Sequence, residues 1–394
     1  MVRLSRLTAL LEEWYPPSGA EDWDAVGLTC GDPDQEVRRV LFAVDPAPAV
    51  VQEAVEWQAD LLVTHHPLLL RGVHSVAATR PKGRTVQTLI RSGCALFTAH
   101  TNADAPVGGV NEALARALGV QDPSVIRPTR GPQLDKLVVF APADDAPAVR
   151  EAMTSAGAGT IGDYDSCTFT SPGEGRFRPL DGAKPAVGRV GEVEVVDEVR
   201  VESVLPRSRR AAVVAAMRAA HPYEEPAFDI LELADLPGPH TPGHGRIGPL
   251  RAPVPLRDFA QQVARVLPRT AHGVRVSGDP DAPVRTVAVA SGAGDFLLDA
   301  VRGTDADVFV TSDLRHHPAS EFREHGRAAL VDVSHWAAEW TWLPVVEARM
   351  RDALDNLGPG TTAGPRAGGR PAGEDTVDTR VSTTVTDPWS FHLA

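Results

Sequence analysis

Four short stretches of this 394-residue chain set imidazoles and carboxylates close together. ADLLVTHHPLLL (Ala59–Leu70) ends an apolar, strand-like run in His65 and His66, followed by a proline. HTNAD offers His100 and Asp104 after ALFTA, SDLRHHP offers Asp313, His316 and His317, and SHWAAE offers His335 and Glu339. Imidazole nitrogen and carboxylate oxygen suit divalent first-row cations such as zinc, iron, manganese or nickel, without choosing among them. Two such ions about 3.5–4 Å apart polarise a substrate and supply a hydroxide nucleophile near neutral pH.

Each stretch also has a plainer reading. Adjacent histidines in a strand point to opposite faces, so His65 and His66 by themselves read more readily as a loop pair than as a metal site. At a strand exit the backbone turns, and each ring could then reach a different ion of a close pair. His335 and Glu339 are four apart, which puts both on one face of a helix starting near His335. An exposed pair at that spacing is worth only ~0.2–0.5 kcal/mol and needs no metal. Asp104 could cap a helix, although it stands five residues before Gly109, and Asn102 or Asn111 could take turn and capping roles. SGAGDF (Ser291–Phe296) lacks the spacing of a nucleotide-binding fingerprint and reads first as a tight turn. Jointly, three histidines and two carboxylates at strand exits suit two divalent ions.

The elements that must position these groups alternate in type. VRRVLFAVD, DLLVTHH and CALFTAH read as strands, and APAVVQEAVEWQA, TVQTLIRSG and GVNEALARALG as helices, which predicts βαβ units around a largely parallel sheet. In such sheets ligands gather outside the carboxyl ends of the strands, where all four clusters fall. A middle segment runs KLVVFAP, APAVREAMTSAG, a Gly/Pro-rich stretch, EVRVESVLP, RSRRAAVVAAMRAA and PAFDILEL, which fits a β-α-β-β-α-β ferredoxin-like insertion. α/β character then returns: LRDFAQQVARVL is a helix, and VRTVAVASGAG, ADVFVTSD and AALVDV are strands. One long helix follows to about Leu357, with Pro344 as a kink or a start. ADLLVTHHP and ADVFVTSDLRHHP echo each other on either side of the insertion and suggest two related halves. The expected divisions are residues 1–131, 132–236, 237–357 and a flexible linker and tail at 358–394. TVDTRVSTTVTDPWSF within that tail reads as an edge strand or a docking arm.

With 39 basic against 52 acidic side chains, the net charge of −13 excludes nucleic acid or an anionic membrane as the main partner. No apolar run of membrane-spanning length occurs, and the N-terminal helix pattern is interrupted by Glu12 and Glu13, unlike a signal peptide. Cys30, Cys94 and Cys167 are far apart and form no CxxC pair, so a cytoplasmic protein is expected and any metal site must use His and carboxylates.

Taken together, WDAVGLTCGD, DLLVTHHPLLLRGV, HTNADAPVGGVNEALA, HPYEEPAFDI, GRIGPL, ADVFVTSDLRHHPA and SHWAAEW resemble, in order, the Nif-three-like dinuclear-metal family, also called GTP cyclohydrolase 1 type 2 homologues. The resemblance runs from about residue 20 to 345. It implies two similar α/β halves around a dinuclear site, a middle domain resembling the PII and CutA type, and a toroidal homohexamer. It implies His65, His66, Asp104, His335 and Glu339 as ligands of two divalent ions, with His100 and His317 as candidates for proton transfer. It also implies either metal-dependent hydrolysis of a nucleotide, with attack on a purine-type ring, or a metal-binding sensor that uses the middle domain without turnover. Ser334 and Trp336 replace the family's usual Gly and Tyr around His335; Trp336, like Trp340 and Trp342, reads as core packing, although the replacement could reshape the pocket.

Overall fold

The apolar runs RVLFA, LLVT and ALFT become three parallel strands, Arg39–Ala43, Leu61–Thr64 and Ala95–Thr98. β-Branched and apolar side chains are buried on both faces, as a covered parallel sheet requires. Val40, Phe42, Leu61, Val63 and Phe97 turn to one core, while Leu41, Leu62 and Leu96 turn to the helices Pro48–Glu56 and Pro81–Ser92 on the other side. Gly27–Cys30 closes the sheet, antiparallel to Ala95–Thr98.

The second half repeats this arrangement. Pro283–Ala293, Val308–Ser312 and Ala329–Val333 are parallel, and Val274–Ser277 is the antiparallel strand beside the last of them. The echoing segments at 59–67 and 306–318 thus supply the middle strand of each parallel trio. Val287, Val289, Val308, Val310, Val331 and Val333 enter the same apolar cluster as the inner face of the first sheet. That shared core fixes the two halves to each other. TPGHGRIGPL, unassigned from sequence, lies largely in a long strand, Gly243–Pro255, antiparallel to Pro283–Ala293 and to Ser124–Pro128.

The computed structural model describes residues 2–129, 133–162, 164–234, 241–356 and 377–393. Residues 1–129 and 239–394 make one unit and residues 130–238 another. The second is an antiparallel sheet ordered Phe228–Glu232, Leu134–Pro142, Glu194–Pro206 and Phe169–Phe177, covered by helices Ala146–Ser155 and Arg210–Ala220. Its element order is the β-α-β-β-α-β of a ferredoxin-like module. Val149, Met153, Val213 and Met217 pack on Leu137, Val139, Val201 and Leu205. The strand Phe169–Phe177 lies in the Gly/Pro-rich stretch; FTSPGEGRF has no apolar alternation, and Pro172 is tolerated because the strand lies at an edge.

Two alternatives left open by the sequence are decided by the structure. The long C-terminal helix is two, His335–Trp340 and Leu343–Asn356, with Pro344 in the first turn of the second, where its missing N–H costs nothing. The tail is not loose throughout. Asp378–Val381 adds a parallel edge strand to Arg39–Ala43, whereas the linker expected at 358–374 lies outside the described residues. Among the described residues no helix is long and apolar enough to cross a membrane. Phe309 is fully buried at the centre of the second sheet, so Phe309→Ala should destabilise this unit by about 3–5 kcal/mol in urea denaturation.

Candidate metal centre

The site is built at the carboxyl ends of the parallel strands of both halves. Beyond Leu61–Thr64 the amides of His65 and His66 still bond Ala43 and Val44 carbonyls, at 3.2 and 2.9 Å, so the strand direction carries both rings to the sheet rim. From there neighbouring strands hold the rings on opposite sides. His65 Nδ1 lies 2.9 Å from the Ala99 carbonyl, and His66 Nδ1 lies 2.7 Å from Asp45 Oδ1. His100 Nδ1 rests 2.8 Å from Asp24 Oδ1, and His335 Nδ1 2.6 Å from Asp313 Oδ2. In all four, an acceptor at Nδ1 selects the tautomer that leaves the Nε2 lone pair free, which is how metal-binding histidines are oriented.

The Nε2 atoms of three of these rings converge on one buried carboxylate. Glu339 Oε1 is 2.8 Å from His335 Nε2 and 3.4 Å from His65 Nε2, and Oε2 is 3.1 Å from His66 Nε2. Asp104 Oδ1 stands 3.7 Å from His65 Nε2. Glu339 is only 3 % exposed, yet its Oε2 has no well-aligned hydrogen bond. Two groups have ligand atoms within 4.8 Å of one another: His65, His66 and His100, and His66, His335 and Glu339. Gly292 completes the cradle: a Cβ there would come within 2.9 Å of Glu339 Oε1 and 3.3 Å of His335 Nε2. An orphaned buried carboxylate oxygen, converging imidazole lone pairs and a glycine that leaves room for them fit a metal ion.

Charge follows the same geometry. Burial opposes ionisation of Glu339, but His335, His66 and His65 hold it well below the ordinary carboxylate range. The Glu339 charge pushes His335 up to about 11. Burial would lower His66, but Glu339 and Asp45 outweigh it and push it up to about 10. Burial lowers His65, while burial and the Glu339 charge raise Asp104 well above its usual value. Without an ion, protons therefore occupy the positions a cation would take.

Buried polar side chains tie the halves together around these ligands. Asn111, expected as a turn or cap residue, donates to the Asp104 carbonyl at 2.9 Å and accepts from the Ser291 amide at 2.8 Å. Arg246 is 1 % exposed and spends its guanidinium on the carbonyls of Gly243, Gly245, Ala105 and Pro106. Ser334 caps the helix His335–Trp340 by accepting from the Ala337 amide at 3.2 Å. Trp336 is buried in the core, as the core-packing reading has it, and does not line the cavity.

His65, His66, His100, Asp104, His335 and Glu339 are thus brought together. His317 is not: it sits exposed on the helix His316–His325, its ring against His316, away from the cluster within this chain. Asp313 stands behind His335 and orients it. Asp24 and Asp45 were not singled out in the sequence. Asp45 carries a weak signal, as the carboxylate ending the strand-like VLFAVD run. The cavity over the cluster has a volume of about 430 Å³ and is also lined by Trp23, Arg127, His244 and Phe296. Arg127 stacks over Phe296 at 4.8 Å.

A family model described as Duf34/NIF3 (NGG1p interacting factor 3) matches residues 2–360. The chain is 49% identical over 391 residues to a GTP cyclohydrolase 1 type 2 homolog of Mycobacterium tuberculosis, covering 99% of this chain and 97% of that one. It is 39% identical over 332 residues to one from Bacillus subtilis, covering 84% and 88%. Among solved structures, a Bacillus cereus protein related to NIF3 matches with a TM-score of 0.74 at 34% identity, over 99% of each chain. A Staphylococcus aureus protein matches with a TM-score of 0.80 at 27% identity, also over 99% of each.

His66 and His335 have folded values of about 10 and 11, above the ordinary 6.5, so their ion-pair stabilisation is complete below about pH 6.5. It is lost progressively above that and is gone once pH has risen through 10 and 11, and metal-free protein should show a urea midpoint that falls across this interval. Metal uptake near pH 7.5 must release protons and tighten with rising pH, which calorimetry in buffers of different ionisation enthalpy measures. Gly292 has φ +69°, so Gly292→Ala should cost about 1–2 kcal/mol of backbone strain and weaken metal binding by displacing Glu339, read by denaturation and chelator competition.

Proposed function

The chain belongs to the Duf34/NIF3 family, and we propose that it is a metal-dependent hydrolase acting on a nucleotide or related small molecule through two divalent ions. The observation that carries this reading is the convergence of His65, His66 and His335 Nε2 on buried Glu339, with His100 and Asp104 beside them. Two overlapping groups that share His66 support a pair of ions rather than one. Their identity follows from availability as much as from nitrogen and oxygen donors, which suit zinc, iron, manganese and nickel alike. Bound there, the ions would polarise the susceptible bond and activate water.

The residues around that centre support a planar, anionic substrate. Trp23 and Phe296 offer aromatic faces in the cavity wall, and Arg127 brings a guanidinium to its rim. A ring lying on the aromatic faces with its phosphates toward Arg127 would face the ligand cluster. His100, with Nδ1 fixed on Asp24, has Nε2 as the atom that takes a proton or an ion. Assembly as a homohexamer, expected from the family resemblance, is part of the same proposal and is read from molar mass in solution.

A sensor reading has one observation in its favour. The middle unit holds its own cavity of about 310 Å³, lined by Phe140, Phe177, Tyr223, Arg176 and Glu198 among others. In that case ligand would bind there without turnover.

Metal-loaded protein incubated with GTP and a panel of nucleotides should release formate and a pterin product. His66→Ala/Glu339→Ala should lose this by at least a hundredfold, and wild-type turnover in that variant would sink the hydrolase reading. His100→Ala separates two roles: lost turnover with metal content retained marks proton handling, whereas lost metal marks a ligand. No turnover on any nucleotide, with ligand binding that Tyr223→Ala abolishes, would favour the sensor.

A further inference from the structure

The end of the chain, beyond the residues matched by the family model, reaches the back of the metal centre. Asp378–Val381 runs parallel to Arg39–Phe42 in the register Asp378 to Arg39 through Val381 to Phe42. A parallel edge strand necessarily leaves the sheet at the same end as its neighbours, and here that is the end carrying Asp45, His65 and His66. The Ser382 amide continues the ladder to the Phe42 carbonyl at 2.8 Å. Beyond it, side chains fasten the segment to two helices. Ser382 Oγ and Thr384 Oγ1 donate to Glu53 Oε2 at 2.6 and 2.8 Å, and Trp340 Nε1 donates to the Ser382 carbonyl at 2.9 Å.

The next residues contact groups that hold the ligands. Thr386 Oγ1 donates to Asp45 Oδ2, while Asp45 Oδ1 accepts from His66 Nδ1. Ser334 Oγ donates to Asp387 Oδ2 while accepting from the Ala337 amide, so Asp387 orients the cap of the helix that carries His335 and Glu339. One segment therefore touches the support of a ligand from the first half and the support of two ligands from the second.

We propose that residues 377–388 are a positioning arm of the metal centre, with Thr386 setting Asp45, and through it His66, and with Asp387 setting Ser334 and the helix of His335 and Glu339. The arm supplies no ligand. It restricts Asp45 to the rotamer in which one oxygen faces His66, because the other is committed to Thr386. The hydroxyl of Ser334 makes the second link possible: a glycine there would have no side-chain oxygen to accept from the Ala337 amide or to bond Asp387. The proposal rests on the metal-centre reading and is independent of whether hydrolysis occurs.

The test uses the full chain loaded with cobalt(II), reading affinity by chelator competition and ligand geometry by the visible absorption bands. Loss of a group that orients a ligand typically weakens metal binding about 10–100-fold. Thr386→Val/Asp387→Ala should do so and shift the cobalt bands, while far-UV circular dichroism stays that of the wild type. Thr386→Ser should restore the wild-type affinity. In an Asp45→Ala background, Thr386→Val should cost nothing further, because Thr386 acts only through that carboxylate. Unchanged affinity and spectrum in the double variant would overturn the proposal, as would an equal cost of Thr386→Val with and without Asp45. Wild-type protein that takes up no metal would overturn the metal-centre reading and the arm with it; metal uptake without nucleotide turnover would leave the arm standing.

Discussion

A carboxylate buried among imidazoles is the constraint on which the rest of the site depends. Glu339 is almost fully enclosed, and an isolated charge there would be prohibitively costly. Its position is tolerable only because His65, His66 and His335 bring Nε2 within 3.4 Å. Those rings cannot rotate freely to serve it. Each is held at Nδ1 by a carbonyl or carboxylate delivered by another strand end, so the order of the rim is set by the sheets behind it.

The sheets in turn are held by one apolar cluster. The first half carries His65, His66, His100 and Asp104, and the second carries His335, Glu339 and Gly292. Valines and leucines of both inner faces meet in the same core, which fixes the distance between the two rims. Polar side chains then refine it. Asn111 bonds the backbone beside Asp104 on one side and Ser291 on the other, and Arg246 fills its guanidinium with carbonyls of the Asp104 loop and its own strand. Burying an arginine without a carboxylate is costly, and four carbonyl acceptors are what make it sustainable.

The candidate ligand motifs were legible because each combines a strong local signal with a fixed place in the fold. LLVT and VFVTS announce buried strands by composition, so the histidines after LLVT must stand at a sheet rim. HWAAE announces a helix, so His335 and Glu339 must share a face. Where local signals are weak, contacts elsewhere in the fold decide. FTSPGEGRF forms a strand because its partner Glu194–Pro206 offers an unpaired edge, not because its own pattern demands one. His317 repeats the His-His-Pro of the first half, but its segment begins a helix whose exposed face turns it away from the cluster. Trp336 goes to the core, as its place among Trp340 and Trp342 suggested, because a helix sends adjacent residues in directions about 100° apart and only His335 turns to the cluster.

By itself the sequence determined the element types, the doubling of the α/β half, the insertion between them and the list of metal-competent side chains, since all of these are set by local periodicity and residue chemistry. Only the tertiary structure decided that Asp24, Asp45 and Asp313 stand behind the imidazoles and that Glu339 is the point on which three of them converge. It also decided that the last strand returns to the sheet from more than 300 residues away in sequence and leads to Thr386 and Asp387 behind the candidate ligands. Such contacts have no local signature. A hydroxyl or carboxylate that orients a ligand is an ordinary surface residue until packing brings it there.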